Sequence, residues 1–144
     1  MKLATRIQYG LRILCQLTRS YSKGPLQLAE ISAREGISEK YLGQIMLSLR
    51  STKLVEALRG SQGGYYLARD PASISILELV IALDGEVLEI VDDSGLSATG
   101  DTGAIAREAW ISLRAAMEAA LSSLTLEDLN RISILNKGAG DFSI

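Results

Sequence analysis

Residues 31–67 read ISAREGISEKYLGQIMLSLRSTKLVEALRGSQGGYYL, and the order of turns within them decides the fold. A short helical run ends at Glu35-Gly36, where glycine is the residue that a tight turn between helices requires. Ser38 follows as an N-cap whose hydroxyl can accept a free backbone N–H. Leu42, Ile45, Met46 and Leu49 then recur at the i, i+3, i+4, i+7 spacing of one apolar helix face. The other face carries Glu39, Lys40 and Gln44, with Tyr41 set between. Two helices joined by a short glycine turn form a helix-turn-helix, whose second helix offers its first turns to base edges. Val55–Leu58 and Tyr65–Leu67 then read as a β pair, joined by Arg59-Gly60-Ser61-Gln62-Gly63-Gly64, which is too rich in glycine to stay helical. The sum is a winged helix. An arginine at the base of a flexible wing suits a DNA groove and its phosphates.

Charge supports the same face. The net charge of −2 conceals a division: residues 1–69 hold eleven Lys/Arg against four Asp/Glu, and residues 70–144 hold four against thirteen. A basic half joined to an acidic half is a sequence-level sign of nucleic-acid binding. At 144 residues, 47% hydrophobic and 22% charged, the chain is expected to fold around one core. It lacks both a long apolar run and a signal-peptide core. With a single cysteine it cannot form an internal disulfide. These features predict a cytoplasmic protein that does not enter a membrane.

Outside the central stretch, the periodicity predicts a first helix over 5–20, with Ile7, Leu11, Leu14 and Thr18 on one face. A short second helix is predicted over Leu26–Arg34 and the recognition helix over about 39–51. Asp70-Pro71 breaks the chain, and Ser75-Ile76-Leu77-Glu78 is a capping box opening a helix to Leu83. Residues 84–103 are acidic and glycine-rich, without helical period, and read as a long flexible loop. In the helix predicted over 104–123, Ala106, Trp110, Leu113, Met117 and Leu121 form an apolar stripe. The small domain offers little to bury it, so Trp110, Leu113, Met117 and Leu121 read as a dimer interface, with packing inside one chain as the alternative. Thr125-Leu126-Glu127-Asp128 caps a last short helix to Ile132, and 136–144 reads as a flexible tail. The expected fold is therefore mostly α with a small β-wing. A winged helix-turn-helix domain (1–83) is followed by an acidic loop (84–103), a dimerisation helix with a short helix after it (104–135), and the tail (136–144).

These residues resemble the Rrf family of bacterial winged-helix regulators. The resemblance is carried by MKLATRIQYGLRIL (1–14), GISEKYLGQIMLSLR (36–50), LVEALRGSQGGYYLARDP (54–71), SILELVIALDG (75–85) and the Trp110 helix. It covers nearly the whole chain. It implies a homodimer on double-stranded DNA with a pseudo-palindromic operator, each recognition helix in a major groove and each wing at a minor groove. The implied DNA-binding residues are Glu39, Lys40, Tyr41, Gln44, Arg50, Arg59, Ser61, Gln62, Gly63 and Gly64. Some relatives place an acidic base-reading residue where this chain has Gly43, so its operator is not inferred from theirs. Cluster-binding members carry three cysteines in the loop after the winged helix; this chain has no cysteine between Asp84 and Ala109, no histidine anywhere, and Arg107 three residues before Trp110. No cofactor is expected, since thiolate ligation needs thiolates. What remains is similar to the cluster-free CymR type, which controls cysteine metabolism. The ending Asp141-Phe142-Ser143-Ile144 resembles the Ile-terminated tails that enter the active site of O-acetylserine sulfhydrylase, which makes that enzyme an expected partner. An ordinary frayed terminus is the alternative.

Other features carry blander readings. Cys15 reads as a small core residue rather than a redox switch. Glu78, Asp84, Glu86 and Glu89 read as helix caps and a solvated rim, because no histidine accompanies them. The 60–64 loop lacks the Lys-Ser/Thr and following helix of a phosphate loop. No catalytic or metal-binding residue is assigned. Two function classes stay open: a DNA-binding repressor, and a protein–protein adapter or regulator answering an unknown small ligand.

Overall fold

The computed structural model of the protein describes residues 2–84 and 100–141. In chain order these form α1 (Lys2–Arg19), α2 (Leu28–Glu35), α3 (Glu39–Ser51), β1 (Val55–Leu58), β2 (Gly64–Leu67), a 3-10 turn (Pro71–Ser73), α4 (Ile76–Asp84), α5 (Asp101–Ser123) and α6 (Leu126–Asp141). β1 and β2 pair antiparallel, with Val55 opposite Leu67 and Leu58 opposite Gly64. The architecture is the winged helix expected from the sequence, followed by two further helices.

The core gathers where apolar faces of successive helices meet. Ile13, Leu14 and Leu17 of α1, Ile31 of α2, Leu42, Ile45, Met46 and Leu49 of α3, and Leu79 of α4 are almost wholly buried. Each such side chain contributes about 1.5–3 kcal/mol relative to exposure. α1 runs through the middle and packs on α3, α4 and α6. α6 is tied in at its first turn by Leu126, which is buried in the same core. There the capping boxes of two helices stand side by side. Ser75 and Glu78 exchange backbone-to-side-chain bonds at α4, and Thr125 and Asp128 do the same at α6. Backbone bonds from Ile76 N to Leu124 O (2.9 Å) and from Leu126 N to Ile74 O (3.0 Å) join the two helix starts.

Several boundaries differ from the sequence reading. Leu26 lies before α2 rather than in it, because both its backbone groups pair with Tyr65, extending the wing by a residue on the far side of β2. α5 begins at Asp101, so residues 101–103 are helical rather than loop. Asp84 ends α4; residues 85–99 of the expected acidic loop lie outside the described residues. α6 continues past Ile132 to Asp141, so a tail beginning at 136 is corrected. Glycines at 138 and 140 each cost a helix about 1 kcal/mol but leave its i→i−4 bonds intact. Phe142, Ser143 and Ile144 lie outside the described residues.

Candidate nucleic-acid interface

The turn before α3 is set by local chemistry. Gly36 adopts the left-handed conformation (φ 67°, ψ 31°) and donates its N–H to Ser32 O. The Ser38 hydroxyl accepts from Tyr41 N at 3.3 Å and caps α3. Leu42, Ile45, Met46 and Leu49 then lock the helix onto the core, which decides what it shows outward. At about 100° per residue, Lys40, Gln44, Leu47 and Ser51 fall within roughly 60° of one another, opposite the buried stripe. All four are exposed. Glu39 and Arg50, also exposed, flank that arc on one side.

On the other side α3 is clasped by α1. The Arg6 guanidinium donates to Ser48 Oγ at 3.2 Å. Tyr41 meets Tyr9 edge-to-face, with ring centroids 5.5 Å apart at 87°, and the Arg12 guanidinium lies 5.8 Å from the Tyr9 centroid. Tyr41 is thus half-buried and orients α3, while Glu39, Lys40 and Gln44 stand free of it. The sequence places Tyr9 only beside the apolar face of the first helix, and gives Arg6 and Arg12 no part in holding α3. A tyrosine among apolar neighbours on a helix face gives no sign of which later residue its ring will meet.

The wing divides its residues in the same way. Arg59, Ser61 and Gln62 are exposed. Gly63 is buried; a Cβ there would run into the Leu58 carbonyl, and a Cβ on Gly64 would run into that of Leu26. Both glycines therefore shape the hairpin, whereas Arg59, Ser61 and Gln62 present its outer surface. Lys40, Arg50 and Arg59 make no salt bridge or side-chain hydrogen bond among the described residues. Across the strands Tyr66 donates its hydroxyl to Glu56 Oε2 at 2.8 Å, and that bond raises the phenol pKa above its ordinary value. A groove of about 530 Å³ runs between α3 and β1, bordered by Leu47, Arg50, Glu56 and Tyr66.

The C-terminal stripe is split. α5 has no fully buried residue; Trp110 is 40% and Leu113 50% exposed, with Ile105 and Ile111 also uncovered. Met117 is half-buried, and Leu121 packs on the chain's own core. Cys15 is half-buried between α1 and α6 beside a cavity of about 120 Å³. Burial there pushes its thiol pKa up.

Residues 3–131 match the Rrf2 family, described as iron-dependent transcriptional regulators. The chain belongs to the Rrf2 family. It is 36% identical to the regulator CymR of Bacillus subtilis (strain 168) over 131 residues, covering 90% of this chain and 89% of that one. It is 32% identical to the regulator IscR of Photorhabdus laumondii, covering 90% and 79%. The structure of CymR, described as the global cysteine regulator of B. subtilis, superposes with a TM-score of 0.75 at 34% identity, covering 89% and 95%. IscR of T. potens superposes with a TM-score of 0.75 at 31% identity, covering 90% and 85%. This Rrf2 chain is thus a CymR-like transcriptional regulator of winged-helix fold.

The family description raises iron, and the donor set of this Rrf2 chain does not fit a thiolate-held cluster. The whole sequence offers one cysteine and no histidine, and that cysteine sits against α6 in α1, with a pKa raised by burial. Among the described residues no group of three His, Cys, Asp or Glu is placed to hold a metal ion. Nor is any described helix long and apolar enough to cross a membrane.

Proposed function

We propose that this chain is a sequence-specific DNA-binding repressor, acting as a homodimer on a pseudo-palindromic duplex without an iron–sulfur cluster. The observation that carries the reading is the outward arc of α3, where Lys40, Gln44 and Ser51 stand exposed beside Arg50 while the opposite stripe is locked in the core. α3 would enter the major groove. Gln44 is suited to adenine, and Lys40 and Arg50 to phosphates. The wing's Arg59, Ser61 and Gln62 would reach the adjacent minor groove. The half-exposed Trp110 and Leu113 on α5 support a dimer formed through that helix.

Similarity to a cysteine regulator supports control of cysteine metabolism as the finer part of this proposal. It extends to a complex with O-acetylserine sulfhydrylase through Asp141, Phe142, Ser143 and Ile144. Pull-down of that enzyme by the full chain but not by the Ile144 deletion is expected; equal recovery from both removes the partner. DNA binding itself is tested by titrating labelled random-sequence duplex at two salt concentrations. Counterion release predicts a slope of log affinity of about −0.9 per phosphate neutralised, and a flat response overturns the reading.

A further inference from the structure

Leu47 is 65% exposed on the outward arc of α3; along the helix it lies between Lys40 and Gln44 on one side and Ser51 on the other, and around the helix it lies between them and Arg50. A single exposed leucine is ordinary on a protein surface; this one stands in the middle of a polar recognition face. The core does not need it, because Leu42, Ile45, Met46 and Leu49 already complete the buried stripe. The wing does not cover it either, since the groove of about 530 Å³ between α3 and β1 leaves it open to the outside. In the major groove an apolar side chain has one distinctive partner, the C5-methyl group of thymine. Gln44 and Leu47 are three residues apart, about 4.5 Å along the helix, comparable with the ~3.4 Å step between bases on one strand.

We propose that Leu47 packs against a thymine C5-methyl beside the base pair addressed by Gln44, and so reads a thymine in each half-site. The inference rests on the DNA-binding reading and adds a specificity residue to it. On binding, the exposed isobutyl group and the exposed methyl leave water together, so the contact needs no hydrogen bond and depends on the methyl being there. Cytosine lacks the methyl and presents an amino donor, which an apolar side chain cannot satisfy.

The test begins with a duplex enriched from a random pool by binding to the full chain. That duplex is synthesised with thymine and with deoxyuridine, which differ only by the methyl. For the wild type, deoxyuridine is expected to weaken binding about fourfold, the effect of withdrawing one methyl-sized apolar contact. For Leu47→Ala the same exchange should make no difference, while binding to the thymine duplex is already weakened. Single-site deoxyuridine substitutions should localise the effect to one thymine per half-site. Equal sensitivity of wild type and Leu47→Ala to the exchange overturns the proposal and leaves DNA binding standing. So does a Leu47→Ala chain that sediments as a smaller species than wild type, because the leucine then serves a protein contact. Failure to enrich any duplex overturns the DNA-binding reading and this inference together.

Discussion

Gly64 opens β2 with its α-carbon against the carbonyl of Leu26, so closely that no side chain fits between them. The contact exists because Leu26 and Tyr65 exchange backbone hydrogen bonds of 2.9 and 2.7 Å, which draw the start of the wing onto the segment before α2. Gly64 also has φ 151°, a conformation that L side chains rarely adopt. Gly64→Ala is expected to cost at least about 1–3 kcal/mol, the range for backbone strain alone, and to loosen the wing. Gly60 has φ 114° but open space around it, so Gly60→Ala should cost less. Urea denaturation of the two variants checks the order; equal losses would mean that the Leu26 contact is immaterial.

Arg59 stands exposed at the base of the wing. Arg59→Ala should weaken binding to a selected duplex by about 1–3 kcal/mol and leave the folding midpoint unchanged. Gln44→Ala should instead change which bases are preferred. Fluorescence anisotropy on a panel of single-base variants separates the two, and an unaltered preference in Gln44→Ala takes that residue out of the reading set.

Leu113 is half exposed on α5, so a charge there has water available in a lone chain. At a dimer seam the same charge would be buried without a partner and cost about 3–5 kcal/mol. Leu113→Glu should therefore dissociate the dimer in sedimentation while the single chain keeps its helical circular dichroism. An intact dimer in that variant would place the seam elsewhere.

Two capping carboxylates predict how stability depends on pH. Burial pushes Glu78 up, but hydrogen bonds from Arg69 and Ser75 outweigh it and hold the group below its ordinary value. The backbone and hydroxyl of Thr125 hold Asp128 below its own. A folded-state pKa depressed below the unfolded one gives stability that is present above the unfolded value. It is lost as pH falls through the folded one. Thermal midpoints should thus fall as pH drops below the ordinary carboxylate range, and the Glu78→Gln, Asp128→Asn double variant should fall less steeply. A parallel decline in both proteins would assign the acid sensitivity to other groups.

With one cysteine and no histidine in the chain, protein purified without oxygen is expected to be colourless. Its iron and acid-labile sulfide should be far below one equivalent. Stoichiometric amounts of both would show that carboxylates or a partner supply ligands that the thiol inventory lacks.

What the sequence determined by itself was local or compositional. Gly36 and Ser38 announce the turn and cap of α3, because a left-handed φ and an N-cap acceptor are properties of single residues. The i, i+3, i+4, i+7 spacing of Leu42, Ile45, Met46 and Leu49 places the four on one side of that helix. The paired strands around Arg59–Gly63 and the two capping boxes were legible for the same reason. So was the missing set of cluster thiolates, which is a matter of counting.

Only the tertiary structure decided how those pieces are shared between buried scaffold and exposed surface. Tyr41 is turned aside by Tyr9, a residue thirty-two positions earlier in the chain, and no periodicity encodes that meeting. Gly63 and Gly64 look like a mobile tip in sequence, yet the carbonyls of Leu58 and Leu26 make them packing residues. Leu121 belongs to the same stripe as Trp110, but α5 brings one end of that stripe against the core and leaves the other uncovered. Leu47 lies outside the apolar stripe of α3 by spacing, but only the placed neighbours show that neither the core nor the wing covers it. Spacing along one helix says which residues share a face; only the packing of several helices says which face meets protein and which meets water.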